Sequence, residues 1–318
     1  MAAIISGIGA YYPEKVLSNS DLEKIVDTTD EWITTRTGIK QRRILPEESD
    51  MNASDLGARA AAMALEQAGL GADQLDGIIC AGINPDMLFP ATACIIQKKI
   101  GAGGFGFDLT AACAGFVCGV NVATALINDG QCRNILVVGA ELLSRVMDWK
   151  DRNTCILFGD AAGAVVMSAC EEEGRGVLNS CMKSDGRLMD ILYLNNAVNK
   201  KSDSFIHMEG KAVFKTAVQS LSDVVRESLD REGLTVQDLD LAVFHQANVR
   251  ILSAVGRKLR LPDEKVPVNV SRYGNTSSAS IPLVLHECHR EGRLKPGMLV
   301  TLAAIGGGMT WGCNLIRW

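Results

Sequence analysis

No C-x-x-C pair occurs among the ten cysteines (80, 94, 113, 118, 132, 155, 170, 181, 288 and 313), and their scatter follows no framework spacing. A chain of 318 residues is large enough to bury a core without disulfide staples. A reducing cytoplasm is the expected compartment. No uncharged apolar run approaches the ~18 residues of a spanning helix, and the opening MAAIISGIGA lacks a basic stretch. The expectation is a soluble, unprocessed cytosolic protein. An excess of positive charge is also missing. The 32 Lys and Arg against 37 Asp and Glu leave a net charge of −5, which argues against a general nucleic-acid binder.

Apolar residues make up 47% of the chain, and no low-complexity linker interrupts them. Strand-like runs alternate with helical segments, the pattern of a layered α/β fold. Strands are expected at 3–9, 77–82, 105–110, 134–140, 162–169, 177–183, 240–245, 266–270, 298–305 and 312–317. Helices are expected at 54–68, 113–128, 209–231, 249–260 and 277–291. An internal echo organises these elements. Residues 69–82, GLGADQLDGIICAG, align without a gap to 233–246, GLTVQDLDLAVFHQ. A helix precedes each copy, and a similar run of elements follows each. Two copies of one α/β unit are inferred, 1–172 and 173–318. If they pack about a pseudo-twofold axis, corresponding helix starts meet at the junction, where sites commonly form. Cys113 and the Asn275 segment occupy such places, and His245 ends the second copy's strand.

Residues 111–127, AACAGFVCGVNVATALI, are apolar on nearly every face and read as a buried central helix opened by Cys113. Unpaired N–H groups and the helix dipole at that end favour a thiolate that attacks a carbonyl. An ordinary buried thiol is the alternative. His245, in VFHQAN, stands where a strand passes into a helix, which also suits a structural histidine. Asn275, in YGNTSSAS, fits either a site or a helix cap. AIGGGMTWG places three glycines after a strand, allowing either a tight turn or an N–H aimed at an oxyanion.

The four segments DLTAACAGF, VFHQANVRI, RYGNTSSAS and AIGGGMTWG, in this order and spacing, resemble β-ketoacyl-[acyl-carrier-protein] synthase III. TTDEWITTRTGIKQRRI, DRNTCILFGDAAGA and GKAVFKTAV extend the likeness over nearly the whole chain. The resemblance implies a thiolase-like five-layer αβαβα sandwich of two pseudo-symmetric halves, usually a homodimer. It implies that Cys113 is the acylated nucleophile and that His245 and Asn275 hydrogen-bond the second substrate's thioester carbonyl. The N–H groups of Cys113 and Gly307 would form the oxyanion hole. Trp32 and Arg152 would sandwich an adenine, with Thr28, Arg36, Gly210, Phe214 and Asn248 along a coenzyme A tunnel. Phe89 would reach the partner subunit's acyl pocket. Arg250, Arg257 and Lys258 would dock an acidic carrier protein. The implied reaction joins an acyl-CoA primer, acetyl-CoA first among them, to malonyl-[acyl-carrier-protein] with loss of CO2. Coenzyme A enters as substrate, and no cofactor, metal, nucleic acid or membrane is implied.

Other signals fall away. GAGGFG (101–106) matches a dinucleotide pattern but follows a helix and precedes a strand, the reverse of the required order. His286, Cys288 and His289 lie in LHECHRE without an HExxH motif. Ala161 and Met309 depart from the family pattern, leaving the primer open. The competing readings are a related condensing enzyme of secondary metabolism, a degradative thiolase lacking its second cysteine, and a Cys-His-Asn hydrolase lacking C-G-S-C-W. A catalytically silent scaffold is the last.

Overall fold

A computed structural model describes residues 1–196, 198 and 203–318. The chain opens with strand β1 (Ala2–Tyr11) and a small antiparallel pair, β2 (Val16–Ser18) and β3 (Gln41–Arg43), that brackets α1 (Asn19–Leu22) and α2 (Asp30–Thr37). It continues through α3 (Ala53–Ala68), β4 (Gly77–Ala81), α4 (Thr92–Ile100), β5 (Phe105–Leu109), α5 (Gly115–Asn128), β6 (Asn134–Leu142) and β7 (Asp160–Cys170). After β8 (Gly176–Ser184), the short strands β9 (Leu192–Leu194) and β10 (Ile206–Met208) pair with each other. Then come α6 (Gly210–Arg231), β11 (Leu241–Phe244), α7 (Val249–Leu259), α8 (Val270–Tyr273), α9 (Ser280–Arg290), β12 (Leu299–Gly306) and β13 (Thr310–Arg317).

Two sheets carry the core. The first has the order β1-β7-β6-β4-β5 and the second β11-β12-β13-β8. Read from the opposite edge, the second repeats the first: two antiparallel pairings, then a parallel one. Helices α5 and α9 pack against strands of both sheets and form the central layer. Helices α3 and α4 cover the outer face of the first sheet, and α6 covers that of the second with α7 beside it. The result is the five-layer αβαβα sandwich. Buried Phe116, Val117, Val120 and Ile127 explain why α5 needs no polar face. The α3 layer sits close because β1 offers Gly7 and Gly9, where a Cβ would fall 2.1 Å from Ala64 O and 2.0 Å from Ala60 O.

The strand expected at 266–270 does not form. Residues 263–265 make a 3-10 turn, and α8 starts at Val270. Pro267 has no N–H to give a ladder. The Gln246 side chain takes the ladder's place, donating to Pro267 O (3.2 Å) and accepting from Asn269 N (2.9 Å). The second sheet therefore has four strands where the first has five.

Arg42 is completely buried, and no carboxylate pairs with it among the described residues. Its guanidinium donates to Leu17 O (3.1 Å), Asn19 Oδ1 (2.9 Å) and Ile156 O (2.6 Å). Burial lowers its pKa to about 10, so it stays charged at neutral pH. Arg42 thus ties the 154–158 segment to β2. Arg42→Met relieves the buried charge but orphans three acceptors, and the second effect is the larger. A loss of about 2 kcal/mol is expected, read from the urea midpoint.

Candidate active site

A cleft of about 1040 Å³ is lined by Cys113, His245, Asn275 and Gly307. Cys113 sits in a 3-10 turn, Ala112–Ala114, that leads into α5. Ala112 has φ of 45°, a left-handed conformation that costs a non-glycine residue energy and marks a strained turn. The turn packs on the end of β12, where a Cβ at Gly306 would lie 2.5 Å from Cys113 N. Neither the Cys113 nor the Gly307 N–H donates to a turn, loop or cap carbonyl among the described residues. Both are free for a substrate oxygen. Burial pushes the Cys113 thiol up to about 12. The neighbouring Ser277 hydroxyl opposes this, although it makes no hydrogen bond of good geometry, and the Glu141 carboxyl adds to it. Desolvation in the resting site thus opposes the helix-start effect expected from the sequence.

His245 follows β11 directly and is 3% exposed. Its Nδ1 lies 2.7 Å from Ser280 Oγ, which also receives the Gln246 N–H at 3.4 Å. With its oxygen receiving that N–H, the serine hydroxyl can turn its hydrogen to Nδ1, and in that tautomer the ring proton sits on Nε2. Burial lowers the imidazole to about 4, with a hydrogen bond to the Ser277 backbone opposing, so the ring is neutral at pH 7. Asn275 is held through both backbone groups, N to Leu157 O (2.8 Å) and O from Gly159 N (3.0 Å). Its Oδ1 accepts from Ser277 N (2.9 Å), leaving Nδ2 to donate into the cleft. One thiol and two neutral donors thus converge from the two sheets.

The cleft also includes Trp32, Arg36, Gly210, Phe214, Asn248 and Arg250. Arg36 lies 4.5 Å and Arg152 5.2 Å from the Trp32 ring centroid, while Arg152 reaches Asp27 at 3.2 Å. A purine between Trp32 and Arg152 needs ~7 Å, so Arg152 must swing off the ring for one to bind there. Asn248 caps α7 through Ile251 N (2.9 Å). Gly210 starts α6 with nothing closer than Met208 Cε at 3.8 Å to a Cβ placed there. Arg250 and Arg257 are exposed on one face of α7, Arg250 over the Phe214 ring, whereas Lys258 bonds Gln219. Thr28, Phe89, Arg152, Arg257 and Lys258 do not line the cleft. Thr28 holds an unpartnered hydroxyl, and Phe89 is 86% exposed beside exposed Met87 and Leu88. Ala161 is buried in β7 opposite Glu141, and Met309 is buried in the core at the β12–β13 turn.

Residues 107–186 match the family described as 3-oxoacyl-[acyl-carrier-protein] synthase III, and residues 229–318 match its C-terminal family. Beta-ketoacyl-[acyl-carrier-protein] synthase III of Aquifex aeolicus is 47% identical over 319 residues, covering 100% of both chains. The chain belongs to the β-ketoacyl-[acyl-carrier-protein] synthase III family. The crystal structure of the Aquifex aeolicus family member superposes with a TM-score of 0.94, covering 99% of this chain and 100% of that one. The Pseudomonas aeruginosa member gives 0.94 at 42% identity, with 100% and 98% covered. The priming β-ketosynthase of the R1128 polyketide pathway also gives 0.94, at 33% identity, with 99% and 96% covered. Membership of this family makes the chain a condensing acyltransferase with a thiolase-like fold, and sets aside the hydrolase and scaffold readings.

Sequence reasoning missed several residues around the cleft. Glu141, Ser278 and Ser280 bond the turns that carry the donors, and Leu143, Ile156, Phe158, Leu192 and Ile206 wall the chamber. A lone acid closing the apolar run NILVVGAEL was the one available signal for Glu141.

Proposed function

We propose that this chain condenses an acyl-CoA primer with malonyl-[acyl-carrier-protein], releasing CO2 and starting fatty acid synthesis with a 3-oxoacyl-[acyl-carrier-protein]. The observation that carries this reading is one cleft joining a thiol, a neutral imidazole and a carboxamide, in a chain nearly half identical to named synthases III.

In the first half-reaction Cys113 Sγ attacks the primer thioester, and the proton leaves with coenzyme A as its free thiol. Both sides carry one thioester and one thiol, so the exchange needs little driving force. The unclaimed N–H groups of Cys113 and Gly307 stabilise the oxyanion. In the second, malonyl loses CO2 and its carbonyl oxygen gathers negative charge. His245 Nε2–H and Asn275 Nδ2–H receive that charge as neutral donors, without an acid that would quench the carbanion. The carbanion attacks the acyl-cysteine carbonyl, the C–S bond breaks, and Cys113 leaves as a thiolate that takes a proton from solvent to restore the thiol.

Acetyl-CoA is the proposed primer. Coenzyme A lies along Trp32, Arg36, Gly210, Phe214 and Asn248, with Thr28 and Arg152 at its outer end. Arg250, Arg257 and Lys258 receive the acidic carrier. Phe89, exposed on this chain, is buried in a homodimer at the partner's chamber. The halves 1–172 and 173–318 are the two copies of the repeat. No described helix is long and apolar enough to cross a membrane. Ten free thiols suit a reducing cytoplasm.

The test is intact-mass spectrometry after mixing with acetyl-CoA. A gain of one acetyl group at Cys113, discharged to a 3-oxoacyl-carrier when malonyl-carrier follows, is expected. Discharge to free acetate alone would overturn the reading. Phe89→Ala is expected to widen the accepted primers by about two carbons and weaken dimerisation, read from a primer panel and sedimentation.

A further inference from the structure

The turn opening α9 repeats the turn opening α5. Ala112 and Ser277 share left-handed φ, 45° and 48°, and Cys113 and Ser278 follow them. Each turn packs on the opposite sheet, Ala112–Ala114 on β12 and Ser277–Ala279 on β6. Gly77 pairs with Ile135 in the first sheet as Leu241 pairs with Val300 in the second. Counting equally along both strands makes Glu141 the counterpart of Gly306. Where Gly306 leaves the Cys113 N–H open, Glu141 Oε1 meets the Ser278 N–H at 3.3 Å.

Hydrogen counting favours the neutral form of this carboxyl. Ser278 Oγ lies 2.9 Å from Ala81 O and 2.9 Å from Glu141 Oε1. A hydroxyl has one hydrogen and a carbonyl none, so beside an ionised Glu141 the Ser278 hydroxyl would have to share its single hydrogen between two acceptors. A proton on Oε1 supplies the missing hydrogen: Glu141 donates to Ser278 Oγ, and Ser278 donates to Ala81 O. Glu141 Oε2 then accepts from Ile83 N at 3.1 Å. The groups facing the carboxyl are the Cys113 thiol on its turn, the Cys80 thiol on β4, and the Ser277 and Ser278 hydroxyls on the α9 turn. No lysine, arginine or histidine bonds it among the described residues.

We propose that Glu141 is a positioning residue acting as a neutral carboxylic acid, whose hydrogen bond to Ser278 Oγ anchors the Asn275–Ser278 turn and so aims the donors of the condensation step. This rests on the reading of the cleft given above. Asn275 Oδ1 accepts from Ser277 N, one residue from the anchored serine, which carries the effect to the carboxamide. Burial raises the Glu141 carboxyl to about 7, with the Ile83 and Ser278 backbone N–H groups opposing, so the neutral form prevails below that pH. Above it, the carboxylate competes with Ala81 O for the single Ser278 hydroxyl hydrogen, which reorients the anchor, and a negative charge faces Cys113.

The experiment measures acylation by acetyl-CoA and condensation with malonyl-carrier separately, across about pH 6–9. In the wild type, condensation should fall as pH rises past about 7 while acylation continues. Glu141→Gln keeps a donor for Ser278 Oγ and an acceptor for Ile83 N, so it should condense within about threefold of wild type at neutral pH and lose the alkaline fall. Glu141→Ala should lose condensation at least tenfold with acylation retained within about threefold. Infrared difference spectra of wild type against Glu141→Gln should show a protonated-carboxyl C=O band at neutral pH. Wild-type condensation by Glu141→Ala, equal losses in the Gln and Ala variants, or no such band would each overturn the proposal. If Glu141→Ala does not fold, the Gln profile and the band decide. Failure of wild-type Cys113 to take the acetyl group would instead defeat the reading of the cleft.

Discussion

Cys113→Ala is expected to lower kcat/KM for condensation at least ~10⁴-fold, with circular dichroism unchanged. The substitution removes one sulfur from a turn whose shape is set elsewhere: by the left-handed Ala112, by Gly306 pressed against the backbone, and by the α5 core. What is lost is the covalent route, because among the described residues no other thiol lines the cleft. Cys113→Ser keeps an oxygen but gives a poorer nucleophile and an ester that surrenders its acyl group less readily than a thioester, so it should fall in the same range. Alkylation gives an independent check. With burial holding the thiol at about 12, the thiolate fraction at pH 7 is small, and each unit of pH multiplies it about tenfold. Iodoacetamide inactivation should therefore keep accelerating through about pH 10, where an ordinary thiol, half ionised near 8.5, has levelled off. A plateau at or below that pH would mean that the turn's N–H groups outweigh desolvation.

Much of this arrangement was legible in the sequence because it depends on local pattern. The echo between 69–82 and 233–246 marks equivalent elements, and the two sheets bear the same sequence of pairings. The apolar run at 111–127 specifies a helix buried on most sides, which places Cys113 between layers. The strand expected at 266–270 failed for a reason lying outside its own residues: Gln246, twenty positions away, offers its side chain where a backbone was expected. Arg42 was unreadable for the same kind of reason. A charged residue beside others reads as solvated, and only tertiary packing gives Arg42 its three carbonyl-type acceptors. The tautomer of His245 likewise depends on Ser280, thirty-five residues along the chain. Family likeness supplied the roles of Trp32, Arg152 and Phe89. The geometry then adds that Arg152 rests on the ring where a purine would stack.

His245→Ala is expected to leave acylation of Cys113 within about threefold of wild type while lowering condensation by about 10³-fold. The division follows from which charge each donor meets. In the proposed mechanism the first oxyanion forms on the primer beside the Cys113 and Gly307 N–H groups, and the second on the malonyl thioester beside His245 and Asn275. Asn275→Ala should give the same split. Because the two donors meet one oxygen, the double variant should lose less than the product of the single losses. The pH dependence separates a neutral donor from an imidazolium. Burial lowers the His245 pKa to about 4, so the neutral ring persists as pH falls and charges only near that value. Condensation should therefore show no histidine limb near 6.5 on the acid side. A limb there that vanished in His245→Ala would mean that the ring titrates in solvent, and the assignment of its Nε2 hydrogen to the enolate would fail with it.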